Sequence, residues 1–163
     1  MKQRASTSGI SFAQMQEENV YFVDKSMLIA DLLSMDGRGV YLYTRPRRFG
    51  KTTNLTMLDA FFNLEYKGNA WFDGLEISKH PEFDSYRNAF PVIMINLKKM
   101  KSDTFSSFVN HMRSVLNNTF DRFRYLMKSD FVYDDEKDLF DRVLRRSIEE
   151  DFIIECVPTL CRM

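Results

Sequence analysis

The nine residues Thr44–Thr52, which read TRPRRFGKT, constrain the fold of this chain more than any other stretch. They follow a short apolar run and open a segment with helical spacing. A strand, a tight basic loop ending in Gly-Lys-Thr and then a helix is the order typical of a phosphate-binding loop. Backbone N–H groups of such a loop point at an anion, which the helix dipole also favours. The sequence therefore predicts a phosphate site where a helix begins at Lys51.

The residue types at the end of this loop each suit one part of a nucleotide. Gly50 lets the backbone approach a phosphate without a Cβ in the way. Lys51 would place an ammonium on the β- and γ-phosphates, and the Thr52 hydroxyl would be a ligand for Mg²⁺. The candidate nucleotide-binding residues are Arg47, Arg48, Phe49, Gly50, Lys51, Thr52 and Thr53.

The loop departs from the full G-x-x-x-x-G-K-[ST] pattern at its first position, where Arg45 stands in place of glycine. Gly-Lys-Thr alone occurs often by chance. The local pattern therefore fits two interpretations, a variant of the Walker A phosphate loop and a basic surface turn whose arginines are solvated.

Hydrophobic patterning predicts an α/β fold with parallel strands, flanking helices and a helix-rich C-terminal half. The strands would be Val40–Thr44 and Phe90–Leu97, since short unbroken apolar runs are typical of strands covered on both faces. A right-handed crossover would join them. A last apolar segment, residues 152–160, is expected to be left exposed. The predicted helices are 11–17, 24–35 with Asp24 as N-cap, 51–63, 103–127 and 134–150.

A phosphate loop is expected to be accompanied by a second strand that ends in an acidic residue, because the carboxylate of that residue holds Mg²⁺ in P-loop ATPases. No apolar run after the loop ends in one. Pro91–Leu97 is followed by two lysines, and Phe152–Glu155 is short and better interpreted as a helix face. Val20–Asp24 has the right form but precedes the loop, and Asp24 is predicted to cap the next helix instead.

Six short segments occur in the order and spacing of a known family. Together they resemble the AAA-ATPase-like family of bacteria and archaea, which itself carries arginine at the position of Arg45. The resemblance runs from about Ile10 to at least Lys101. The segments are YFVDKS (21–26), YLYTRPRRFGKT (41–52), NLTML (54–58), FF (61–62), WFDGLEI (71–77) and FPVI (90–93).

This resemblance implies a P-loop ATPase that binds ATP with Mg²⁺, and many members carry a PD-(D/E)XK nuclease-like domain further towards the C-terminus. It implies that residues 11–163 are the N-terminal part of the P-loop domain. Residues 1–10, which contain serine and glycine and have no periodicity, are predicted to be a flexible tail. We therefore expect a truncated, incomplete P-loop NTPase-like protein with weak or no hydrolysis on its own. The alternatives are a non-catalytic interaction module and a component of a nucleic-acid-processing protein.

Composition limits the partners. The 163 residues are 44% hydrophobic and 14% aromatic, which excludes a disordered chain. Lys plus Arg and Asp plus Glu both number 23, so a zero net charge gives no general attraction for nucleic acid and no protection against self-association.

The remaining signals concern compartment and metals. Cys156 and Cys161 lie five apart without a histidine pair, which is not a zinc spacing, and His80 and His111 are isolated. Free thiols, a polar N-terminus and the lack of an 18-residue apolar run predict a cytoplasmic protein without a membrane segment.

Overall fold

The computed structural model of this protein describes residues 10–35, 39–46, 49–98 and 100–163. Helices dominate these residues. The α-helices are α1 Phe12–Glu17, α2 Met27–Leu33, α3 Lys51–Phe62, α4 Phe83–Tyr86, α5 Phe105–Asp121, α6 Asp134–Leu144 and α7 Ile153–Arg162. Short 3-10 turns lie at Leu64–Tyr66, Glu76–Lys79, Arg124–Lys128 and Glu150–Phe152.

The predicted α/β fold with parallel strands is wrong for the residues described. Neither Val40–Thr44 nor Phe90–Leu97 is a strand, and an isolated parallel bridge between Asn63 and Phe90 takes the place of a ladder. The side chain of Val40 is fully exposed rather than covered on two faces. Strands are stable only as members of a paired sheet, and an apolar run does not by itself supply a partner. The parallel sheet of a P-loop NTPase fold is therefore not formed by the described part of the chain.

The helix predictions are largely confirmed, because the spacing of apolar residues at three and four is a local signal. The helix that follows the loop begins at Lys51 as predicted. The last turns of two predicted helices do not form. The long helix ends at Asp121, after which the chain tightens into a 3-10 turn. Helix α6 ends at Leu144 because Arg146 adopts a left-handed conformation with φ 58°.

The chain divides into two compact units, Met1–Val92 and Ile93–Met163, each with a core of its own. In the first unit α1 packs on α3 around three fully buried phenylalanines, Phe12, Phe61 and Phe72. The rings of Phe12 and Phe61 lie 4.9 and 5.2 Å from that of Phe72. This aromatic core holds the helix that follows the loop.

In the second unit α5, α6 and α7 pack together. The rings of Phe120 and Phe140 lie 4.9 Å apart in its core, and α7 buries Cys156 and Leu160 beside them. The prediction that residues 152–160 would be left exposed is therefore wrong for Cys156 and Leu160, whereas Phe152 and Ile154 are 45% and 75% exposed. The segment forms an amphipathic helix, and its apolar side completes the core of this unit.

Candidate functional site

The loop predicted to bind phosphate leads directly into α3. Gly50 is the N-cap residue, with φ 73° and ψ 19°, in the left-handed region that favours glycine. Asn54 N–H donates to the Gly50 carbonyl at 2.9 Å, which is the first hydrogen bond of the helix. Glycine has no side chain to cap the first turn. The N-terminus of this 12-residue helix thus keeps the partial positive charge that attracts anions.

The side chain of Lys51 closes the loop. Its Nζ donates to the backbone carbonyls of Arg45 at 2.5 Å and Pro46 at 2.9 Å, which lie six and five residues back along the chain. Lys51 is exposed to solvent. An ammonium group has three donors, and these two bonds leave one of them. A positive charge is thereby fixed at the inner side of the bend, next to the start of α3.

Three other predicted site residues lie along the same junction. Phe49 is 58% exposed, and Thr52 is exposed at the second position of α3. Thr53 follows it and is half-buried. Arg47 and Arg48 lie outside the described residues.

The C-terminal end of α3 is held by a residue that sequence reasoning missed. Asn88 is buried, and its Nδ2 donates to the carbonyls of Ala60 at 3.0 Å, Phe61 at 3.2 Å and Asn63 at 2.8 Å. The last carbonyls of a helix have no partner within it, and this amide supplies one. No local pattern marks Asn88, because its partners lie 25 to 28 residues earlier.

Asp24 does not cap α2 as predicted, since Ser26 is the N-cap residue of that helix. The Asp24 carboxylate accepts the backbone N–H of Ser26 and that of Glu76, both at 2.8 Å. The Ser26 hydroxyl accepts the next N–H, from Ile77, at 3.1 Å. We call Asp24 and Ser26 the amide clamp, because together they bind two successive N–H groups about 50 residues away.

The clamp changes the acidity of Asp24. Burial by itself would raise the pKa of this carboxyl. Hydrogen bonds from the Ser26 side chain and from the N–H groups of Glu76 and Ser26 outweigh burial, and the pKa is lowered from its ordinary value of 3.8. The carboxylate is therefore occupied as a structural acceptor.

Elsewhere among the described residues, neither a metal-binding group nor the surface hollow contributes to the candidate phosphate site. In the part of the chain that the structure describes, no group of three or more His, Cys, Asp or Glu side chains could hold a metal ion. A shallow surface hollow of about 380 Å³ is lined by residues outside the loop, namely Met27, Glu76, Lys79, His80 and Pro81. None of the described helices has the length and apolar character to span a membrane.

The sequence ending in Gly-Lys-Thr and the helix that begins at Lys51 make this loop a candidate phosphate-binding loop. A family model described as predicted AAA-ATPase matches residues 8–154. The chain belongs to the AAA-ATPase-like family, as the order of its motifs predicts. Searches of the curated proteins and of the solved structures each found no match.

Proposed function

We propose that this protein binds the phosphate tail of ATP, together with Mg²⁺, where the loop meets α3. One observation carries this proposal. The Lys51 ammonium donates hydrogen bonds to the carbonyls of Arg45 and Pro46, beside a helix N-terminus whose N-cap residue, Gly50, has no side chain to cap it. A positive charge and the N–H groups of a helix N-terminus at one place are the two features that bind phosphate.

Lys51 would release the two carbonyls and bind phosphate oxygens. Neutral carbonyls are weaker acceptors for an ammonium than an oxyanion is, so this exchange is favourable. The exposed Thr52 hydroxyl would be a ligand for Mg²⁺. The N–H groups of the first turn of α3 would complete the phosphate contacts.

ATP with Mg²⁺ supplies a phosphoryl group that can be transferred to water. Hydrolysis needs residues that hold the metal and orient the water. No apolar run after the loop ends in the acidic residue that would hold Mg²⁺, and both oxygens of Asp24, which ends the apolar run before the loop, accept backbone N–H groups. We therefore propose that this chain binds ATP and hydrolyses it slowly when alone.

Calorimetric titration with ATP and Mg²⁺ tests the binding proposal through Lys51→Ala. Removing a charge-assisted hydrogen bond costs about 1.5–3 kcal/mol, so the Kd should rise by about ten- to a hundredfold. The matched control is Lys67→Ala, since Lys67 is an exposed lysine beyond the other end of α3. It should leave the Kd within about twofold of wild type.

Two results would contradict the proposal. If wild type and Lys51→Ala bind ATP equally poorly, the loop is not a phosphate site. Rapid, Lys51-dependent release of phosphate from ATP by the wild-type chain would leave the binding site standing but refute slow hydrolysis.

The exposed apolar side chains beside the loop favour a second candidate function, a non-catalytic interaction module that self-associates. Val40 is fully exposed, Leu42 is 86% exposed and Phe49 is 58% exposed. A zero net charge does not oppose contact between copies. Under this interpretation sedimentation equilibrium would show dimers that Leu42→Lys abolishes, in a protein that does not bind ATP.

A further inference from the structure

Thr56 joins the helix that follows the loop to the N-terminal helix of the same unit. Its Oγ1 accepts the backbone N–H of Phe12 at 3.0 Å, across 44 residues of sequence. The same hydroxyl donates to the carbonyl of Thr53 at 3.0 Å. One side chain thus bridges the first residue of α1 and the first turn of α3.

The Phe12 end of this bridge is firmly fixed. Ser11 and Gln14 form a capping box at the start of α1, in which each side chain accepts the other's backbone N–H. Phe12 N–H is one of the first N–H groups of the helix, which have no partner inside it, and Thr56 provides that partner. The Phe12 ring is fully buried against Phe22 and Phe72, at 5.1 and 4.9 Å between ring centroids.

The Thr53 end of the bridge lies at the candidate site. Residues three and four apart share one face of a helix, so Thr56 lies one turn below Thr52 and Thr53. Thr52 is the candidate Mg²⁺ ligand, and Lys51 precedes it. The hydrogen bond that Thr56 accepts from α1 therefore fixes the position of this face relative to the aromatic core.

We propose that Thr56 is a positioning residue for the phosphate site: it holds the first turn of α3 at the place where the Lys51 amine and the Thr52 hydroxyl reach one nucleotide. This inference rests on the proposed function. Thr56 acts through α1 and the first turn and does not itself touch the nucleotide.

The test compares Thr56→Val with Thr56→Ser in titrations with ATP and Mg²⁺. Valine keeps the size and branching of threonine but lacks the hydroxyl, whereas serine keeps the hydroxyl. The Kd of the valine variant should rise by about three- to tenfold, as expected for one lost hydrogen bond, and serine should restore it. Titrations are made well below the Tm of each variant, because a purely structural role would lower the Tm without changing the Kd of folded protein.

A second measurement uses the wild-type chain and needs no variant. If nucleotide binding and the bond between Phe12 and Thr56 are coupled, the coupling is reciprocal. Saturating ATP with Mg²⁺ should then slow hydrogen exchange of the Phe12 amide by about three- to tenfold, and Lys51→Ala should abolish this effect.

The outcomes separate the two proposals. Lys51-dependent ATP binding with no change of Kd in folded Thr56→Val, or with no slowing of exchange at Phe12, overturns the role of Thr56 and leaves the phosphate site standing. Absence of Lys51-dependent binding in the wild-type chain overturns both.

Discussion

Asn88 shows how much a single residue contributes to the helix that carries the candidate site. Its Nδ2 donates to three carbonyls at the end of α3, and its Oδ1 accepts a hydrogen bond from Nδ2 of Asn69 at 3.1 Å. The backbone is left-handed at φ 50°, a conformation that asparagine tolerates better than most residues. The identity of this residue is therefore set by both its backbone and its side chain.

The substitution Asn88→Asp should destabilise the first unit by about 2–4 kcal/mol. Aspartate keeps the shape of the side chain and the oxygen that accepts from Asn69. It replaces the donating Nδ2 with an oxygen, which cannot donate to the three carbonyls that it faces. Urea unfolding measures the loss. The control is Asn118→Asp, the same substitution at an exposed asparagine of α5. If both substitutions cost the same, the three carbonyl bonds do not carry the stability.

Single residues of the loop could be predicted from the sequence, whereas their supports could not. Gly50 and Lys51 are marked by a local pattern in which each type has one chemical task. Thr56 and Asn88 act through partners 25 to 44 residues away, and neither residue type is unusual where it stands. The sequence thus predicted a candidate phosphate site, but not the residues that hold its backbone in position.

Among the elements, the amide clamp joins two of the segments on which the family resemblance rests. Asp24 and Ser26, in the segment YFVDKS, bind the N–H groups of Glu76 and Ile77, in the segment WFDGLEI. Those N–H groups begin the 3-10 turn Glu76–Lys79 and have no partner within it. Two motifs that are far apart in sequence therefore form one structural feature.

The clamp predicts how stability depends on pH. The pKa of Asp24 lies below 3.8 in the folded protein, where hydrogen bonds favour its charged form. The stabilisation is therefore complete above the unfolded value and is lost as the pH falls through the lowered folded value. Urea unfolding of wild type and Asp24→Asn from about pH 7 to about pH 3 should show a difference that shrinks towards the acid end.

The exposed carboxylate of Asp31 on α2 provides the matched control for this experiment. Asp31→Asn should change the unfolding midpoint little across the whole range. A difference between wild type and Asp24→Asn that stayed constant down to the acid limit would show that the charge of Asp24 does not stabilise the clamp.

Helices and strands differed in how well the sequence predicted them. In α5 the spacing of Leu116 and Phe120 is sufficient, because every backbone bond of a helix closes within the segment. Val40–Thr44 has the composition of a strand, but its bonds would have to come from another segment. The described structure places no strand beside it, and Leu42 remains 86% exposed. Composition therefore predicted a propensity rather than a structure.

At the scale of the whole molecule, the chain consists of two units with separate cores. Because each unit has fewer than about 100 residues, its core leaves only a few kcal/mol of net stability.

In the second unit Cys156 lies within the core, and its thiol donates to the Phe152 carbonyl at 3.3 Å. Burial raises the pKa of this thiol to about 11, whereas Cys161 is exposed. The two thiols should therefore differ strongly in reactivity.

Alkylation followed by mass spectrometry uses this difference to measure the stability of the second unit. In the wild-type chain Cys161 should react near neutral pH while Cys156 stays protected. Phe140→Ala removes a fully buried ring and should cost about 3–5 kcal/mol, so Cys156 should become reactive. Phe131→Ala is the matched control, because that ring is 94% exposed. Equal labelling of Cys156 in both variants would contradict the core described for this unit.

The left-handed backbone of Gly50 has a consequence for chemical synthesis. A Cβ built on this residue would meet nothing within 4 Å, so the volume around it is open. What excludes an ordinary side chain is chirality alone, since φ 73° is strained for L-amino acids and relaxed for their mirror images. A D-alanine introduced at this position by peptide ligation would keep the bend and stiffen it, whereas L-alanine would oppose it.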